Sequence, residues 1–400
     1  MSSRLGAAAY LFLLSALALV APPGLTAQID GEPIVIGEAF TLQSDILGED
    51  RAVLVHRPNG YDQSEQVYPV LYLLDGDAHF HHTTGIIDFL SRDGQIPQML
   101  VVALPNTDRT RDLTPKTSTD TANNFPTAGG ADKFLAFLTE ELAPFIEAHY
   151  RTAPFRVLVG HSFGGLFAVH ALLSQPENFD AYVAISPSLW WNDASPVAEA
   201  KAFFAREGDS DRFLFLSMGD EGGAMLSKAW ELAAVLEENA PVTFDWEFAL
   251  MDDETHGSIP HRSTYRALER LYRDWQITDF ERLAQQGGLE AFDAHYAALS
   301  QRFGYPVITP ENTVNRLGYW HLGQEQIDQA ISVFKRNVAV YPESANVYDS
   351  LGDGYDAAGQ LELARQNYAK AVKLAEATSH PALEVYRNNL ARIKEKIGTK

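Results

Sequence analysis

Short, continuously apolar segments alternate with amphipathic helical patterns from about residue 38 to residue 277, and this alternation restricts the possible folds most strongly. Each apolar segment is hydrophobic at successive positions, so both faces of the corresponding strand are expected to be buried. Strands of this kind that alternate with helices form a parallel sheet covered on both faces. The sequence therefore predicts an α/β sheet with strands at residues 52–56, 68–74, 99–104, 155–159, 181–185, 213–217 and 242–248.

The composition is that of an ordinary globular protein, and it excludes several functional classes. The 400-residue chain is 46% hydrophobic, which is enough for a sizeable core. Because the chain has no cysteine, it has no disulfide, thiol nucleophile, zinc ribbon or iron–sulfur cluster. A formal net charge of −22 disfavours binding to nucleic acid and to anionic membrane surfaces.

The N-terminal residues have the pattern of a secretory signal peptide. Arg4 precedes a small and apolar stretch over residues 5–20, and Pro22, Pro23 and Gly24 then interrupt any helix. A cut after Ala27 would follow a small residue. The alternative is a membrane anchor, for which the stretch is short. Residues 1–27 are therefore predicted to be removed, leaving a periplasmic or secreted protein without a membrane span.

Beyond residue 277 the strand pattern ends and a helical repeat follows. A helical linker is predicted at residues 279–311, after a sheet domain at 28–278. Small and aromatic positions recur at an offset of 34 residues, which is the tetratricopeptide spacing. The matching pairs are Leu317 with Leu351, Gly318 with Gly352, Ala330 with Ala364, and Phe334 with Tyr368. Residues 312–400 are thus predicted to form two such repeats and a capping helix, a possible site for a peptide or protein partner.

The segment Gly160–Gly165, with the sequence GHSFGG, contains the strongest chemical signal. It follows a predicted buried strand and begins an apolar helix, which is the context of a nucleophile elbow. Ser162 is the predicted nucleophile, and its glycine neighbours avoid clashes in the tight turn. His161 is expected to point away from the site and to serve in packing.

A serine hydroxyl requires a base, because it is a weak nucleophile near neutral pH. In an elbow of this type the base comes last in the chain. His256 lies in the loop between the predicted strand at 242–248 and the next helix, so it is the predicted base. His261, at the start of that helix, is the alternative.

The third catalytic group is expected to be a carboxylate that follows the strand at 213–217. Asp220 and Glu221 both occupy that position, and spacing alone does not separate them. Either could orient the imidazole and stabilise its protonated form. Glu221 is slightly favoured, since Asp220 could instead cap the turn; both could also be structural, leaving a Ser–His pair.

Two backbone N–H groups are expected to stabilise the oxyanion that forms during attack on an ester. One belongs to Phe163, directly after the nucleophile, and the other to Asp77, in the loop after the strand at 68–74. No cofactor is needed for this chemistry. A metal site is not predicted, because the spacing of His79, His81 and His82 on a helix does not bring the three rings to one point.

Other side chains near the predicted site could bind substrate. Arg109 and Arg111 could clamp an anionic or hydroxyl-rich group, or could instead pair with Asp108 and Asp112. Trp190 could provide an apolar or stacking wall.

Five motifs together resemble a known family. They are 73–77 (LLDGD), Asn106 with 109–115 (RTRDLTP), 160–165 (GHSFGG), 186–188 (SPS) and 255–257 (THG). As a set they resemble the "putative esterase" group of α/β-hydrolases, which includes esterase D, the enterochelin esterases and secreted mycolyltransferases. The resemblance covers roughly residues 35–277 and implies an α/β-hydrolase fold with cofactor-free ester hydrolysis through an acyl-enzyme on Ser162.

The resemblance leaves two points open. Some siderophore-hydrolysing members are thought to use a Ser–His pair without a clear acid, so the choice between Asp220 and Glu221 is not decided. The helical tail resembles that of exported bacterial hydrolases in the group and is not part of the enterochelin esterases proper. A siderophore substrate is therefore not implied by resemblance alone.

The sequence thus predicts an exported serine esterase acting on a small-molecule ester. Two alternatives remain open. The same site could transfer the acyl group to another alcohol, or an inert hydrolase fold could carry a binding scaffold formed by the repeats. The acyl group, the alcohol and the oligomeric state are not determined by the sequence.

Overall fold

The computed structural model describes residues 31–206 and 211–399. The predicted signal peptide, residues 1–27, lies outside these residues. Within these residues, eight strands form a single sheet. They are β1 (Glu38–Ser44), β2 (Glu49–His56), β3 (Tyr68–Leu73), β4 (Leu100–Ala103), β5 (Thr152–His161), β6 (Ala181–Ile185), β7 (Phe213–Gly219) and β8 (Asp245–Met251).

The sheet has the order β1-β2-β4-β3-β5-β6-β7-β8, and the strands from β3 to β8 run parallel. Every residue of β3, β6 and β7 is buried, which confirms that apolar segments of this kind lie inside a covered sheet. The expectation of a parallel sheet is wrong at one edge, where β2 pairs antiparallel with both β1 and β4. β1 was not predicted, because its side chains are mostly exposed and its sequence lacks a continuous apolar run.

Fifteen helices lie among and after the strands in the described chain. The first nine are α1 (Gly76–Arg92), α2 (Arg109–Leu113), α3 (Thr119–Asn124), α4 (Ala131–Ala136), α5 (Ala143–His149), α6 (Phe163–Ser174), α7 (Trp191–Arg206), α8 (Gly223–Asn239) and α9 (Ile259–Leu271). A π-helical turn, Phe137–Leu142, joins α4 to α5. The last six are α10 (Phe280–Phe303), α11 (Glu311–Gly323), α12 (Ile327–Val340), α13 (Ala345–Ala357), α14 (Leu361–Ala377) and α15 (Leu383–Gly398).

Helices cover both faces of the sheet, as the alternation of patterns predicted. The α4–α8 side chains pack on one face, and α1, α9 and the end of α10 pack on the other. The predicted strand at 242–248 is displaced along the chain, because β8 begins only at Asp245 and the side chain of Val242 is fully exposed. In the described part of the chain, no helix is both long enough and apolar enough to cross a bilayer.

The chain after α9 is entirely helical in the described residues. Its helices approach closely at the two glycines that the repeat pattern singled out. A Cβ atom at Gly318 would lie 2.2 Å from the ring of Phe334, and one at Gly352 would lie 2.6 Å from the ring of Tyr368. Only glycine permits these crossings. The assignment to tetratricopeptide repeats and the domain boundaries stay predictions, and from Ile36 onward the described chain forms one compact unit.

Candidate active site

Four of the predicted site residues follow the carboxyl ends of parallel strands. Asp77 comes after β3, Ser162 after β5, Glu221 after β7, and His256 after β8. Since neighbouring parallel strands end at the same edge of a sheet, the topology gathers these groups on one side.

Ser162 occupies a strained bend between β5 and α6. Its backbone has φ = 61° and ψ = −113°, a conformation that non-glycine residues rarely adopt. The bend is tight enough that a Cβ atom at Gly160 would lie 2.1 Å from the carbonyl oxygen of Gly164. The N–H of Ser162 donates to the carbonyl oxygen of Ile185 on β6 at 2.9 Å, which fixes the bend to the sheet. The bend has the backbone geometry expected of a nucleophile elbow, and the role of Ser162 as the nucleophile stays a prediction.

His256 is held by Glu221. The Nδ1 of the imidazole lies 2.6 Å from Oε2 of the carboxylate, and the other carboxylate oxygen accepts the hydroxyl of Ser186. The Glu221 side chain is 6% exposed, whereas that of His256 is 43% exposed. Because a carboxylate can only accept, Nδ1 carries the proton and Nε2 is left as the acceptor.

Asp220, the other acid offered by the sequence, has a different environment. It is exposed, and its backbone N–H donates to the carbonyl oxygen of Glu254 at 2.8 Å. Among the described residues, no side chain pairs with its carboxylate. The structure thus brings Glu221, and not Asp220, to the imidazole.

Ser162 and His256 line the same cavity, which has a volume of about 440 Å³. Within the described residues, the Ser162 hydroxyl makes its side-chain hydrogen bond with Ser188, at 3.5 Å between the two oxygens, and none with His256. Proton transfer from Ser162 to the imidazole requires the two side chains to come within hydrogen-bond distance of each other.

Both predicted oxyanion donors lie at the start of helices. Phe163 is the first residue of α6 and Asp77 the second residue of α1, so neither N–H has an acceptor within its own helix. The two helix starts are adjacent, since a Cβ atom at Gly164 would lie 3.2 Å from Oδ2 of Asp75. The role of Phe163 and Asp77 in binding an oxyanion stays a prediction.

Arg109 connects the α1 start to the nucleophile bend. Its Nε and Nη2 donate to the two oxygens of the buried Asp75 at 2.6 and 3.0 Å, and Nη2 also donates to the carbonyl oxygen of His161 at 3.0 Å. Asn106 adds a third hydrogen bond to Asp75, at 2.7 Å. The Arg109 guanidinium thus forms its hydrogen bonds with groups of the protein itself.

Arg111 is also paired within the protein. Its Nε donates to Asp112 at 2.7 Å, and its Nη1 donates to Glu49 at 3.0 Å. The neighbouring Arg111 lowers the pKa of the Glu49 carboxyl. Neither Arg109 nor Arg111 is among the residues that line the Ser162 cavity. Substrate contact by either arginine stays a prediction.

An aromatic wall borders the cavity on one side. Trp190 and Phe163 line it, with ring centroids 6.2 Å apart, and Phe125 lies 5.7 Å from Phe163 behind them. Trp190 also donates its indole N–H to the sulfur of Met225 at 3.1 Å. Phe125 was missed at the sequence level, because it lies in a segment without a hydrophobic period. The ring of Trp191, which packs against Phe125, is fully buried.

Five histidine rings, which we call the histidine column, form a continuous row that starts at the cavity. Its members are His256, His161, His79, His82 and His261. The expectation that His161 points away from the site is wrong, since its ring centroid lies 4.5 Å from that of His256. His261, the alternative base, is exposed at the far end of the column and does not line the cavity.

The inner histidines of the column are neutral near pH 7. Burial lowers the pKa of His161 to about 3 and that of His82 to about 4, and it also lowers the pKa of His79. The nearby Asp75 favours the protonated form of His161, while Arg109 opposes it. Among the described residues, no group of three or more possible ligands is arranged to hold a metal ion.

These lowered pKa values predict a loss of stability in acid. Between pH 6.5, where a free imidazole titrates, and the folded-state pKa values, the unfolded chain binds protons that the folded chain does not. The three rings are therefore expected to lower the free energy of unfolding as the pH falls from 6.5 towards 4. Urea unfolding curves recorded between pH 6.5 and 4 test this expected decline in the free energy of unfolding. The variant His82→Phe is expected to flatten the decline; an unchanged slope would contradict the assignment.

Comparison with known proteins identifies relatives of the sheet-bearing part. A family model described as "Putative esterase" matches residues 44–266. The "Siderophore enterobactin esterase" of Emericella nidulans is 36% identical, with 36% of this chain and 54% of the relative covered. The "Siderophore triacetylfusarinine C esterase" of Aspergillus fumigatus is 32% identical, with 43% and 62% covered. The chain therefore spans little more than half the length of these curated relatives.

Solved structures share the same architecture. An IroE-like serine hydrolase from Shewanella oneidensis has a TM-score of 0.64 and 32% identity, with 72% of this chain and 95% of that chain covered. An uncharacterised protein from Capnocytophaga ochracea has a TM-score of 0.62 over 90% of this chain, at 15% identity. The second likeness concerns the fold alone, and its coverage extends into the helical tail.

Proposed function

This chain belongs to the "Putative esterase" family of hydrolases, and from that premise we propose that it is a serine esterase whose nucleophile, base and acid are Ser162, His256 and Glu221. One observation carries the proposal. A serine in a strained bend after a parallel strand shares a cavity with an imidazole whose Nδ1 is bonded to a buried carboxylate at 2.6 Å. This combination serves acyl transfer through a covalent intermediate.

The proposed reaction proceeds in two stages. Ser162 Oγ attacks the ester carbonyl while Nε2 of His256 takes the hydroxyl proton, and the N–H groups of Phe163 and Asp77 bind the oxyanion. Collapse of the tetrahedral intermediate releases the alcohol, which receives that proton from His256. Water then attacks the acyl-enzyme carbonyl while His256 takes a proton from it, and Ser162 Oγ receives that proton as the acid is released. Glu221 stabilises the imidazolium in both stages.

The cavity favours an ester with an aromatic or apolar group. Trp190, Phe163 and Met225 provide the apolar surface, and the titratable groups that line the cavity are Asp220, Glu221 and His256. Because the names of the curated relatives refer to siderophore esters, such esters are the first natural substrates to test. We further propose export to the periplasm or the medium, on the pattern of residues 1–27.

Labelling with a fluorophosphonate tests the enzyme proposal without knowledge of the substrate. We expect stoichiometric modification of Ser162, located by peptide mass spectrometry. Turnover is then measured on enterobactin, aryl acetates, sugar acetates and alkyl esters of graded length. A folded protein that is neither labelled nor active on any of these esters would refute the proposal.

The two alternatives are separated by other measurements. Product analysis with an added alcohol distinguishes acyl transfer from hydrolysis. A scaffold role would require an accessible binding surface on the tail. Two acidic side chains of α13 are already hydrogen-bonded to side chains of α15. Asp356 on α13 accepts from Lys396 on α15 at 2.6 Å, and Asp349 accepts from Asn389 at 3.1 Å. A peptide or protein partner of the tail stays a prediction.

A further inference from the structure

His161 lies between the proposed base and the rest of the histidine column. Its ring centroid is 4.5 Å from that of His256, with 44° between the ring planes, and 5.6 Å from that of His79 on α1. Behind it, Nδ1 of His79 lies 3.1 Å from Nε2 of His82. The base is therefore backed by a packed row of rings that reaches His261 at the surface.

We propose that His161 is a positioning residue that holds the His256 ring in the orientation needed to accept the Ser162 proton. This inference rests on the proposed function, because it takes His256 as the base. It assigns a role to the second residue of the GHSFGG segment, which lies beside the nucleophile in sequence and beside the base in space.

The need for such a contact follows from how His256 is held. The side chain is 43% exposed, and its one hydrogen bond among the described residues joins Nδ1 to Glu221. A ring bonded at a single atom can still swing about that bond. A misplacement of about 1 Å at a reacting group costs about 100-fold in rate. A ring packed against the imidazole restricts this motion.

His161 is itself fixed to the sheet. It is the last residue of β5 and pairs in register with Ile185 of β6. Its carbonyl oxygen accepts from Arg109, which is bonded in turn to the buried Asp75. The contact with His256 is therefore made from a rigid element, whereas the base itself lies on a loop.

The His161 ring is also suited to face an imidazolium. Its Nε2 is buried and has no hydrogen-bond partner among the described residues, so it does not compete for the proton on Nδ1 of His256. Burial and the neighbouring His256 and His79 lower its pKa, and the ring stays neutral. A neutral aromatic ring can pack against the cation that forms during catalysis without repelling it.

Two substitutions separate positioning from mere structural packing. His161→Ala removes the ring, and His161→Phe restores a flat ring that cannot titrate. The measured quantities are the rate of fluorophosphonate labelling of Ser162 and kcat and KM for 4-nitrophenyl acetate. We expect His161→Ala to lower the labelling rate and kcat by about 10- to 100-fold with KM nearly unchanged, and His161→Phe to restore both to within about threefold.

His149→Ala is the matched control, because it removes a ring stacked on Phe145 at 4.1 Å at the end of α5, outside the cavity. It should leave labelling and kcat unchanged. Wild-type rates for a folded His161→Ala, or a rise in KM at constant kcat, would overturn the inference. Should the alanine variant not fold, a phenylalanine variant that folds but labels slowly overturns it as well. A wild-type protein that is not labelled refutes the proposed function, and this inference with it.

Discussion

Replacing Ser162 or His256 by alanine is expected to lower ester turnover by about 10⁴- to 10⁶-fold, to the level that oxyanion binding alone supports. Each change removes one end of the same proton transfer, so the double variant should be no slower than either single variant. The measurement is kcat/KM on the best ester from the screen, with fluorophosphonate labelling alongside.

Both variants should melt within a few degrees of the wild type. Among the described residues the Ser162 hydroxyl has one side-chain hydrogen bond, at 3.5 Å, and the His256 ring is nearly half exposed. The bend at Ser162 is set by backbone contacts that alanine keeps.

Two control variants replace a serine and a histidine that are not assigned to the catalytic site. Ser174→Ala, at the end of the same helix, and His261→Ala, the base that the sequence offered as an alternative, should retain turnover. Normal activity in His256→Ala with loss in His261→Ala would reverse the assignment of the base. Normal activity in Ser162→Ala would refute the proposed serine mechanism.

The parts of the site that were predictable are those with local signals. Ser162 stands out because a buried strand, two glycines and an apolar helix surround it within a few residues. The position of the acid, as either Asp220 or Glu221, and that of His256 follow from chain order, because each comes after the carboxyl end of a strand. The sheet core was predictable for the same reason, since its strands are apolar without interruption.

The parts that were not predictable depend on long-range packing. The sequence suggests that Arg109 either binds substrate or pairs with a neighbour, and only the folded chain brings it to Asp75, which is 34 residues away. His161 was expected to point away, because the turn in which it lies does not reveal where the loop that carries His256 packs. β1 was missed because an exposed edge strand lacks the apolar run that marks a buried one.

Which of the two adjacent acids contacts the imidazole is visible only in the folded chain. Asp220 and Glu221 differ by one position, and both follow β7. A strand that ends in a turn sends successive side chains in different directions. One faces solvent and the other enters the sheet edge, where it meets the hydroxyl of Ser186 and the ring of His256.

Glu221→Gln is accordingly expected to lower kcat by about 10²- to 10⁴-fold, and Asp220→Asn to change it by less than about twofold. The amide of glutamine keeps the shape of the carboxylate but not its charge. It can donate to Nδ1, which would place the proton on Nε2 and block that atom as the base. The two substitutions remove the same charge one residue apart, so any general effect of net charge on the acidic protein cancels between them.

The same pair tests whether the protein works with serine and histidine alone. In a mechanism without an acid, Glu221→Gln would stay near the wild-type rate, because the imidazole would need no carboxylate behind it. Equal losses in both variants would instead indicate that the loop after β7 matters as a whole. A large loss confined to Glu221→Gln, with partial recovery in Glu221→Asp, requires a negative charge at the 2.6 Å contact with Nδ1. Buried carboxylates stabilise an adjacent imidazolium more strongly than exposed ones, because water screens the exposed charge. The burial of Glu221 and the exposure of Asp220 therefore favour this last result.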